Sequence, residues 1–158
     1  MSQLPGIVGF FATSGQTYAI LAFDDQFDGS GNGGTLNITI DVAPPPPTVD
    51  VTVNPVGSFN KLTGSATISG TVTCTGDADF TYIELQLTQK VGRFTVSGYG
   101  FLENAFVCDG TTQPWSVEVF GFSGLFKGGR AASVTIAVAY GAFGSGYDIE
   151  ERIVMLRG

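Results

Sequence analysis

The feature of this sequence that most limits its fold is a run of four consecutive prolines: Pro44, Pro45, Pro46 and Pro47. Polyproline forms an extended left-handed helix that rises roughly 3.1 Å per residue, so the run predicts a stiff spacer of about 12 Å. The sequence has strand-like patterns on both sides of this spacer. We therefore predict an N-terminal segment of residues 1–43, a linker of residues 44–47 and a domain of residues 48–158.

The domain is predicted to contain β-strands alone, because no stretch has the apolar spacing of an amphipathic helix. The seven predicted strands are residues 49–53, 66–75, 80–89, 94–102, 115–122, 132–143 and 149–156. Alternation predicts that the following side chains point inward: Ala66, Ile68, Val72, Cys74, Val134, Ile136, Val138 and Tyr140. Seven alternating strands with glycine-rich turns in about 110 residues predict an immunoglobulin-like β-sandwich.

The N-terminal segment is predicted to form three short strands, at residues 6–12, 17–23 and 35–42. Segments of about 40 residues rarely fold alone without disulfides, metals or oligomerisation, and this one has no cysteine. We therefore expect it to attach to another protein subunit, or to a second copy, by strand addition. The predicted interface residues are Ile7, Phe10, Phe11, Tyr18, Ile20, Leu21, Phe23, Leu36, Ile38 and Ile40.

The charges are few, mostly acidic and unevenly placed. Charged residues make up 13% of the chain, the net charge is −7, and no Lys or Arg precedes Lys61. This balance argues against nucleic acid and anionic membrane surfaces as partners, because binding to both depends on Lys and Arg. Two interpretations of the acidic surface remain: a solvated face that keeps an apolar protein soluble, and a surface for cations or basic partners.

The sequence has no histidine, which removes Ser-His-Asp and Cys-His catalysis and every His-based metal site. Two pairs of adjacent carboxylates, Asp24/Asp25 and Glu150/Glu151, would point to opposite faces of a strand. They therefore do not form the paired acids of a glycosidase. We expect no enzymatic activity, no catalytic residue and no cofactor.

The stretch MSQLPGIVGFF at the start of the sequence lacks a basic region, and Pro5, Gly6 and Gly9 interrupt its apolar residues. We therefore expect no secretory signal there. No window reaches the roughly 18 apolar residues of a membrane span, so we expect no membrane insertion. The expected route is synthesis in the cytoplasm, with any exit independent of a cleaved signal.

The stretch from Asp24 to Gly34 is the candidate for a metal site. Counted from Asp28, it follows the first half of a calcium-binding EF-hand loop, but the twelfth position is Thr39 instead of Glu. The calcium ligands would be Asp24, Asp28, Ser30 and Asn32. A glycine-rich hairpin turn explains the same residues, and it is the interpretation that we favour.

Two cysteines, Cys74 and Cys108, are candidates for a disulfide. The bridge would close a loop of about 35 residues and stabilise the domain by roughly 4 kcal/mol. Two separate buried thiols and a reactive thiol are the alternatives, although no base lies near either residue in sequence. A disulfide would need an oxidising environment after synthesis, which fits release by cell lysis better than life in the cytosol.

Aromatic residues are numerous, and several point outward if Val96, Val117 and Val119 point inward. They include Tyr99, Phe101, Phe106, Phe120, Phe122, Phe126 and Phe143. Three roles remain open for them: packing in the core, contact with another subunit, and stacking on sugar rings.

The pattern GTVTC…CDGTTQPW…VTIAVAY, over about residues 65–140, resembles small immunoglobulin-like domains of secreted actinobacterial proteins. It departs from antibody-type domains, because Trp115 follows both cysteines and does not lie between them. The whole layout resembles accessory proteins of tailed-phage virions, which attach by one end and display an immunoglobulin-like domain.

This resemblance implies a structural protein of the virion, such as a capsid decoration or tail-attached component, whose partners are capsid or tail proteins and sister subunits. The resemblance also implies a location on the virion, with an extracellular location as the alternative. A carbohydrate- or cell-surface-binding module, with a glycan contact on the β domain, is the alternative function.

Overall fold

The computed structural model describes residues 8–21 and 37–158 of the 158-residue chain. The chain divides into two compact units, Met1–Ala43 and Pro44–Gly158. In the described ranges every strand belongs to the second unit, and no helix occurs. The prediction of an all-β protein is confirmed for these residues.

Eight strands form the second unit, one more than the sequence predicts. In chain order they are β1 (Thr48–Val53), β2 (Val56–Phe59), β3 (Ala66–Thr75), β4 (Phe80–Val91), β5 (Phe94–Glu103), β6 (Thr112–Gly121), β7 (Gly129–Gly141) and β8 (Gly144–Arg157). The unpredicted strand is β2, which follows Pro55, has four residues and contains Gly57. A strand this short shows too little alternation to be recognised in the sequence.

The strands close into a barrel. Neighbours follow the order β1-β3-β2-β8-β7-β4-β5-β6, and β6 also pairs with β3, so the seven strands from β3 onward in this order form a closed circuit. Strand β1 pairs with the same edge of β3 that β2 uses further along. The ladder between β5 and β6 is short and consists of two residue pairs, Gly98 with Gly121 and Tyr99 with Phe120.

The core fills the inside of this barrel. On β3 the inward residues Ala66, Ile68, Val72 and Cys74 are at most 1% exposed, as the alternation predicts. The other large side chains that are almost fully buried include Phe126, Ile83, Leu85, Leu87, Leu156, Val53, Val119 and Val154. All the core residues lie within Pro44–Gly158, so this unit has a complete core of its own.

Trp115 on β6 links strands β1 and β3 through hydrogen bonds of its indole ring. Its indole Nε1–H donates hydrogen bonds to the carbonyl oxygens of Thr52 on β1 at 3.1 Å and of Thr71 on β3 at 3.2 Å. Opposite Trp115 lies Gly70, where an added Cβ would overlap the Thr52 carbonyl and approach the indole. Glycine at this position lets three strands and one ring come together.

The prediction for the faces of β7 is wrong. The inward side chains are small and at most 2% exposed: Ala131, Ser133, Thr135, Ala137 and Ala139. The predicted inward residues Val134, Ile136, Val138 and Tyr140 occupy the opposite, outer face. A shift of one residue exchanges the two faces of a strand, and both alternate sets of β7 lack charge apart from Arg130, so alternation alone does not distinguish them.

The first unit contains no strand in its described residues 8–21 and 37–43, so the prediction of three strands is wrong for those residues. A strand needs a neighbour for its backbone N–H and C=O groups, and a local pattern does not supply one. The chain instead turns at Gly15, which has a φ of 81°, and Tyr18 Oη accepts a hydrogen bond from Thr13 N at 2.7 Å. This turn brings the rings of Phe10 and Tyr18 to 5.2 Å.

The four prolines belong to the second unit, and Pro47 is buried in it. Gly76 lies so close that an added Cβ would stand 2.9 Å from Pro47 Cα, and a Cβ on Gly146 would overlap the Pro47 carbonyl. A residue packed in this way is part of the barrel. The exposed part of the predicted linker is therefore shorter than expected and consists of Pro44, Pro45 and Pro46.

Candidate functional site

Strands β5, β4, β7 and β8 present an apolar surface to solvent, which we call the outer aromatic face. Its apolar and aromatic members are Phe80, Tyr82, Tyr99, Phe101, Ile136, Tyr140, Tyr147, Ile149, Ile153 and Met155. The strand register forms one row across all four strands: Phe101 lies opposite Glu84, Glu84 opposite Ile136, and Ile136 opposite Ile149. Tyr147 is 68% exposed and Ile149 48%, so these side chains meet water over much of their surface.

Aromatic rings gather at one end of this face. The ring of Tyr82 lies 5.3 Å from that of Phe101, 6.0 Å from that of Phe80 and 6.2 Å from that of Tyr140. Phe101 in turn lies 6.4 Å from Tyr99, with nearly parallel planes. These separations lie in the range of attractive aromatic pairs, so the rings hold one another in place.

Tyr82 and Tyr99 remain neutral hydrogen-bonding groups at physiological pH, because the pKa of each phenol is raised. Desolvation by burial, followed by the neighbouring Tyr140 hydroxyl, raises the pKa of the Tyr82 phenol. Desolvation and the negative charge of Glu84 raise the pKa of Tyr99. The face therefore offers phenol hydroxyls beside apolar rings, a combination that occurs frequently at protein interfaces.

Charges lie both in the middle of the outer aromatic face and at its two ends. In the middle, Glu84 lies opposite Ile136 and Glu151 opposite Val134. Glu103 lies opposite Tyr82, at the end where the rings gather. Lys90 and Arg130 lie on the outer sides of β4 and β7 at the other end, beside Thr95 and Met155 respectively. The face thus has an acidic, aromatic end and a basic end.

The paired carboxylates that the sequence showed on β8 have different surroundings. Glu150 points toward the inner side, where its carboxylate lies 3.3 Å from Arg152 Nε. Glu151 lies on the outer side opposite Val134. The two carboxylates are therefore on opposite faces, as the strand pattern predicts, and they do not converge on one point.

The free edge of β1 is covered by side chains of β8. Asp148 Oδ2 accepts a hydrogen bond from Val51 N at 2.8 Å, and Arg152 Nη1 donates one to the Val53 carbonyl at 2.8 Å. These bonds occupy backbone groups that would otherwise be open to pairing with another chain.

The structure joins Cys74, at the end of β3, to Cys108, in the loop before β6, by a disulfide. Asp109 Oδ1 accepts hydrogen bonds from Thr111 N at 2.8 Å and from Thr111 Oγ1 at 2.6 Å. These bonds, with a weaker one from Gln113, lower the pKa of the Asp109 carboxyl. The disulfide and these hydrogen bonds hold the loop in one conformation.

The predicted interface residues of the N-terminal segment that the structure describes are all exposed: Phe10, Phe11, Tyr18, Ile20, Leu21, Ile38 and Ile40. Ile7, Phe23 and Leu36 lie outside the described residues. The calcium candidates Asp24, Asp28, Ser30 and Asn32 also lie outside them. Within residues 8–21 and 37–158, no group of three or more His, Cys, Asp or Glu side chains could hold a metal ion.

The predicted outward aromatics separate into two groups. Phe106 and Phe126 are buried in the core, whereas Tyr99, Phe101, Phe120, Phe122 and Phe143 are exposed. Sequence reasoning missed the part of the outer aromatic face on β7 and β8. The available signal was the row of small residues alternating with large ones on β7, which is typical of a strand covered on both faces.

A shallow cleft opens at the basic end of the barrel. Its floor is apolar, and two lysines flank it; the lining residues are Phe59, Lys61, Gly64, Leu125, Phe126, Lys127 and Gly128. No buried polar side-chain atom among the described residues lacks a hydrogen-bond partner, so none is left aimed into this cleft. In the same ranges no helix is long and apolar enough to span a bilayer.

No protein-family model and no curated protein matches this chain. Among solved structures, the sporulation control protein Spo0M from Bacillus subtilis is similar with a TM-score of 0.36 and 11% sequence identity. The match covers 72% of this chain and 50% of the chain of Spo0M, so this chain spans about half the length of that protein. A likeness this weak carries no argument about function.

Proposed function

We propose that this protein is a non-enzymatic structural component of a tailed-phage virion, attached to the particle through Met1–Ala43 and displaying the β unit outward. The observation that carries the proposal is the exposure of large apolar side chains in the first unit. Leu21 is 86% exposed, Val42 is 94% exposed and Phe11 is fully exposed. Such residues in a segment without strand pairing favour a segment that is completed by another polypeptide.

Strand addition is the mode of attachment that fits this segment best. The sequence TLNITIDV at residues 35–42 alternates apolar and polar residues, and its described apolar members Ile38 and Ile40 are exposed. An incoming strand of this kind contributes main-chain hydrogen bonds together with one apolar face. Capsid or tail proteins, or sister subunits, would supply the receiving sheet edge.

An immunoglobulin-like sandwich is the finer description that we propose for the β unit. On this description β1, β3 and β6 would form one layer and β5, β4, β7, β8 and β2 a second, joined where β5 pairs with β6 and where β2 pairs with β3. Such an arrangement is similar to the two layers of immunoglobulin domains. The ladder of two residue pairs between β5 and β6 favours two packed layers over a round barrel.

Three observations support different parts of this proposal: the location, the partners and the lack of catalysis. The disulfide between Cys74 and Cys108 is typical of proteins that function in an oxidising environment after release. The net charge of −7 disfavours nucleic acid as a partner. The absence of histidine from the sequence, and the separate surroundings of Glu150 and Glu151, favour a role without catalysis or cofactor.

The test is a deletion of residues 1–43 in cells that produce the particles. Particles purified by density gradient should contain the full-length chain and should lack the chain that retains residues 44–158 alone. The matched control is a full-length chain with Leu62→Glu, because Leu62 is 93% exposed and lies outside the N-terminal segment. Equal incorporation of the deleted chain would contradict the proposal.

A carbohydrate- or cell-surface-binding module is the second candidate, and the parallel rings of Tyr99 and Phe101 favour it. Adjacent exposed rings can stack on sugar rings. The test is a titration with soluble surface glycans, monitored by the ring proton resonances of Tyr99 and Phe101 in nuclear magnetic resonance. Trp115 is 4% exposed, so its fluorescence would not report such binding.

A further inference from the structure

We infer that the outer aromatic face is a dimer interface on which a second copy of this chain packs face to face, with the strands of the two copies running in opposite directions. This inference goes beyond the proposed attachment through residues 1–43, because the face lies entirely within Pro44–Gly158. Three features of the face support the dimer: the distribution of side-chain sizes, the area and the placement of charge.

On β7 the larger apolar side chains lie on the outer face, whereas an ordinary half-exposed strand carries them on its inner face. The inner face of β7 carries alanine, serine and threonine, whereas its outer face carries Val134, Ile136, Val138 and Tyr140. β7 lies in the middle of the sheet, between β4 and β8. A central strand with its large apolar residues outward is typical of a sheet that is covered on both sides.

The area of the face suits a stable homodimer. Four strands spaced about 4.8 Å apart, each about nine residues long, give a surface of about 20 by 30 Å. This is about 600 Å² before side-chain relief is counted, whereas a standard interface buries roughly 800 Å² on each partner. The aromatic residues at one end of the face are of the type that is enriched at protein interfaces.

The charges at the two ends of the face are self-complementary in one orientation. Tyr82 and Lys90 lie on the same side of β4, about 27 Å apart along the strand. A two-fold axis across the strands would place the aromatic, acidic end of one copy on the basic end of the other. Lys90 would then approach Glu103 of the second copy, and Arg130 would approach the rings around Tyr140. An axis along the strands would instead bring like charges together.

The experiment measures the dimer dissociation constant of residues 44–158 by sedimentation, because these residues contain the complete core and lack the proposed attachment segment. The unchanged full chain is measured beside it. Ile149→Glu places a charge in the centre of the face and should weaken dimerisation at least about a hundredfold. Leu62→Glu is the control for the same change at an exposed apolar residue outside the face, and it should leave the constant unchanged.

A charge exchange tests the orientation. Lys90→Glu and Glu103→Lys should each weaken the dimer by about tenfold, and the double variant should recover most of the lost affinity. Both positions are exposed in the single chain, so folding should be preserved. Circular dichroism checks the fold of each variant.

The inference is overturned by a monomer at about 100 μM, by a dimer insensitive to Ile149→Glu, or by single charge changes without recovery in the double variant. Dimerisation that is lost only when residues 1–43 are removed would also overturn it. None of these results bears on the incorporation of the full chain into particles, so a failure here is distinguishable from a failure of the proposed function.

Discussion

Gly70 is the position at which one side-chain atom has the largest predicted effect. A Cβ there would overlap the Thr52 carbonyl and come within 2.9 Å of the Trp115 indole. Both neighbours are held by the hydrogen bond between them, so neither moves freely. We predict that Gly70→Ala lowers the free energy of unfolding by about 3 kcal/mol, the upper part of the range for overpacked sites.

Urea denaturation followed by Trp115 fluorescence measures this change, because the indole is buried in the native state. The control is Gly92→Asn in the turn between β4 and β5, where the backbone has a φ of 63° and nothing lies within 4 Å of an added Cβ. Asparagine tolerates this conformation, so the control should change the stability little. Equal stability of the wild type and Gly70→Ala would contradict the described packing.

The pKa of the Asp109 carboxyl gives a second prediction at the scale of single residues. Hydrogen bonds from Thr111 hold the pKa of this carboxyl below the ordinary value of 3.8. Because the folded-state pKa is depressed, the stabilisation is complete above the unfolded-state pKa and is lost as the pH falls through the folded-state pKa. We predict that Thr111→Val raises the pKa of Asp109 toward its ordinary value, measured from the carboxyl carbon resonance.

Thr112→Val is the matched control for this titration, since the Thr112 hydroxyl pairs with the Thr73 hydroxyl at 2.8 Å and not with Asp109. It should leave the titration of Asp109 unchanged. An Asp109 titration that is the same in the wild type and in Thr111→Val would show that the hydroxyl does not hold the carboxylate.

Among the elements, β1 depends on side chains of β8 at its outer edge. Asp148→Ala would remove the acceptor of the Val51 amide, a hydrogen bond to a charged group worth about 1–3 kcal/mol. We predict at least about tenfold faster hydrogen exchange at Val51 N–H. Asp50→Ala, at the exposed neighbouring residue of the same strand, should not change this rate. Unchanged exchange in Asp148→Ala would contradict the role of β8 as the cover of this edge.

The strands differ in how far the sequence predicts them. On β3, serine and threonine alternate with apolar residues, so both its limits and its inner face follow from the sequence. On β7 both alternate sets consist of small or apolar residues, and which set fits inside depends on the strands across the core. The four residues of β2 have too little pattern to be seen.

The outer aromatic face was predictable only in part, because it depends on contacts between strands that are distant in the sequence. The exposure of Tyr99 and Phe101 follows from the inward position of Val96 on the same strand. Their neighbours Ile136 and Ile149 join them through the register of β4, β7 and β8, which pairs residues far apart in the chain. A local pattern does not contain this register.

At the scale of the whole molecule, the account contains two separate modes of association. Residues 1–43 carry the proposed attachment to other subunits, and the outer aromatic face carries the inferred dimer. Ile149→Glu disables the second mode alone, so it isolates the first. The account requires that attachment persist when the face no longer dimerises.

The most direct measurement is the mass in solution of two Ile149→Glu proteins, the full chain and residues 44–158, determined by sedimentation equilibrium. The account predicts that the full chain assembles into oligomers while residues 44–158 remain monomeric. The same association state for the two proteins, whether both are monomers or both are oligomers, would contradict attachment through the N-terminal segment.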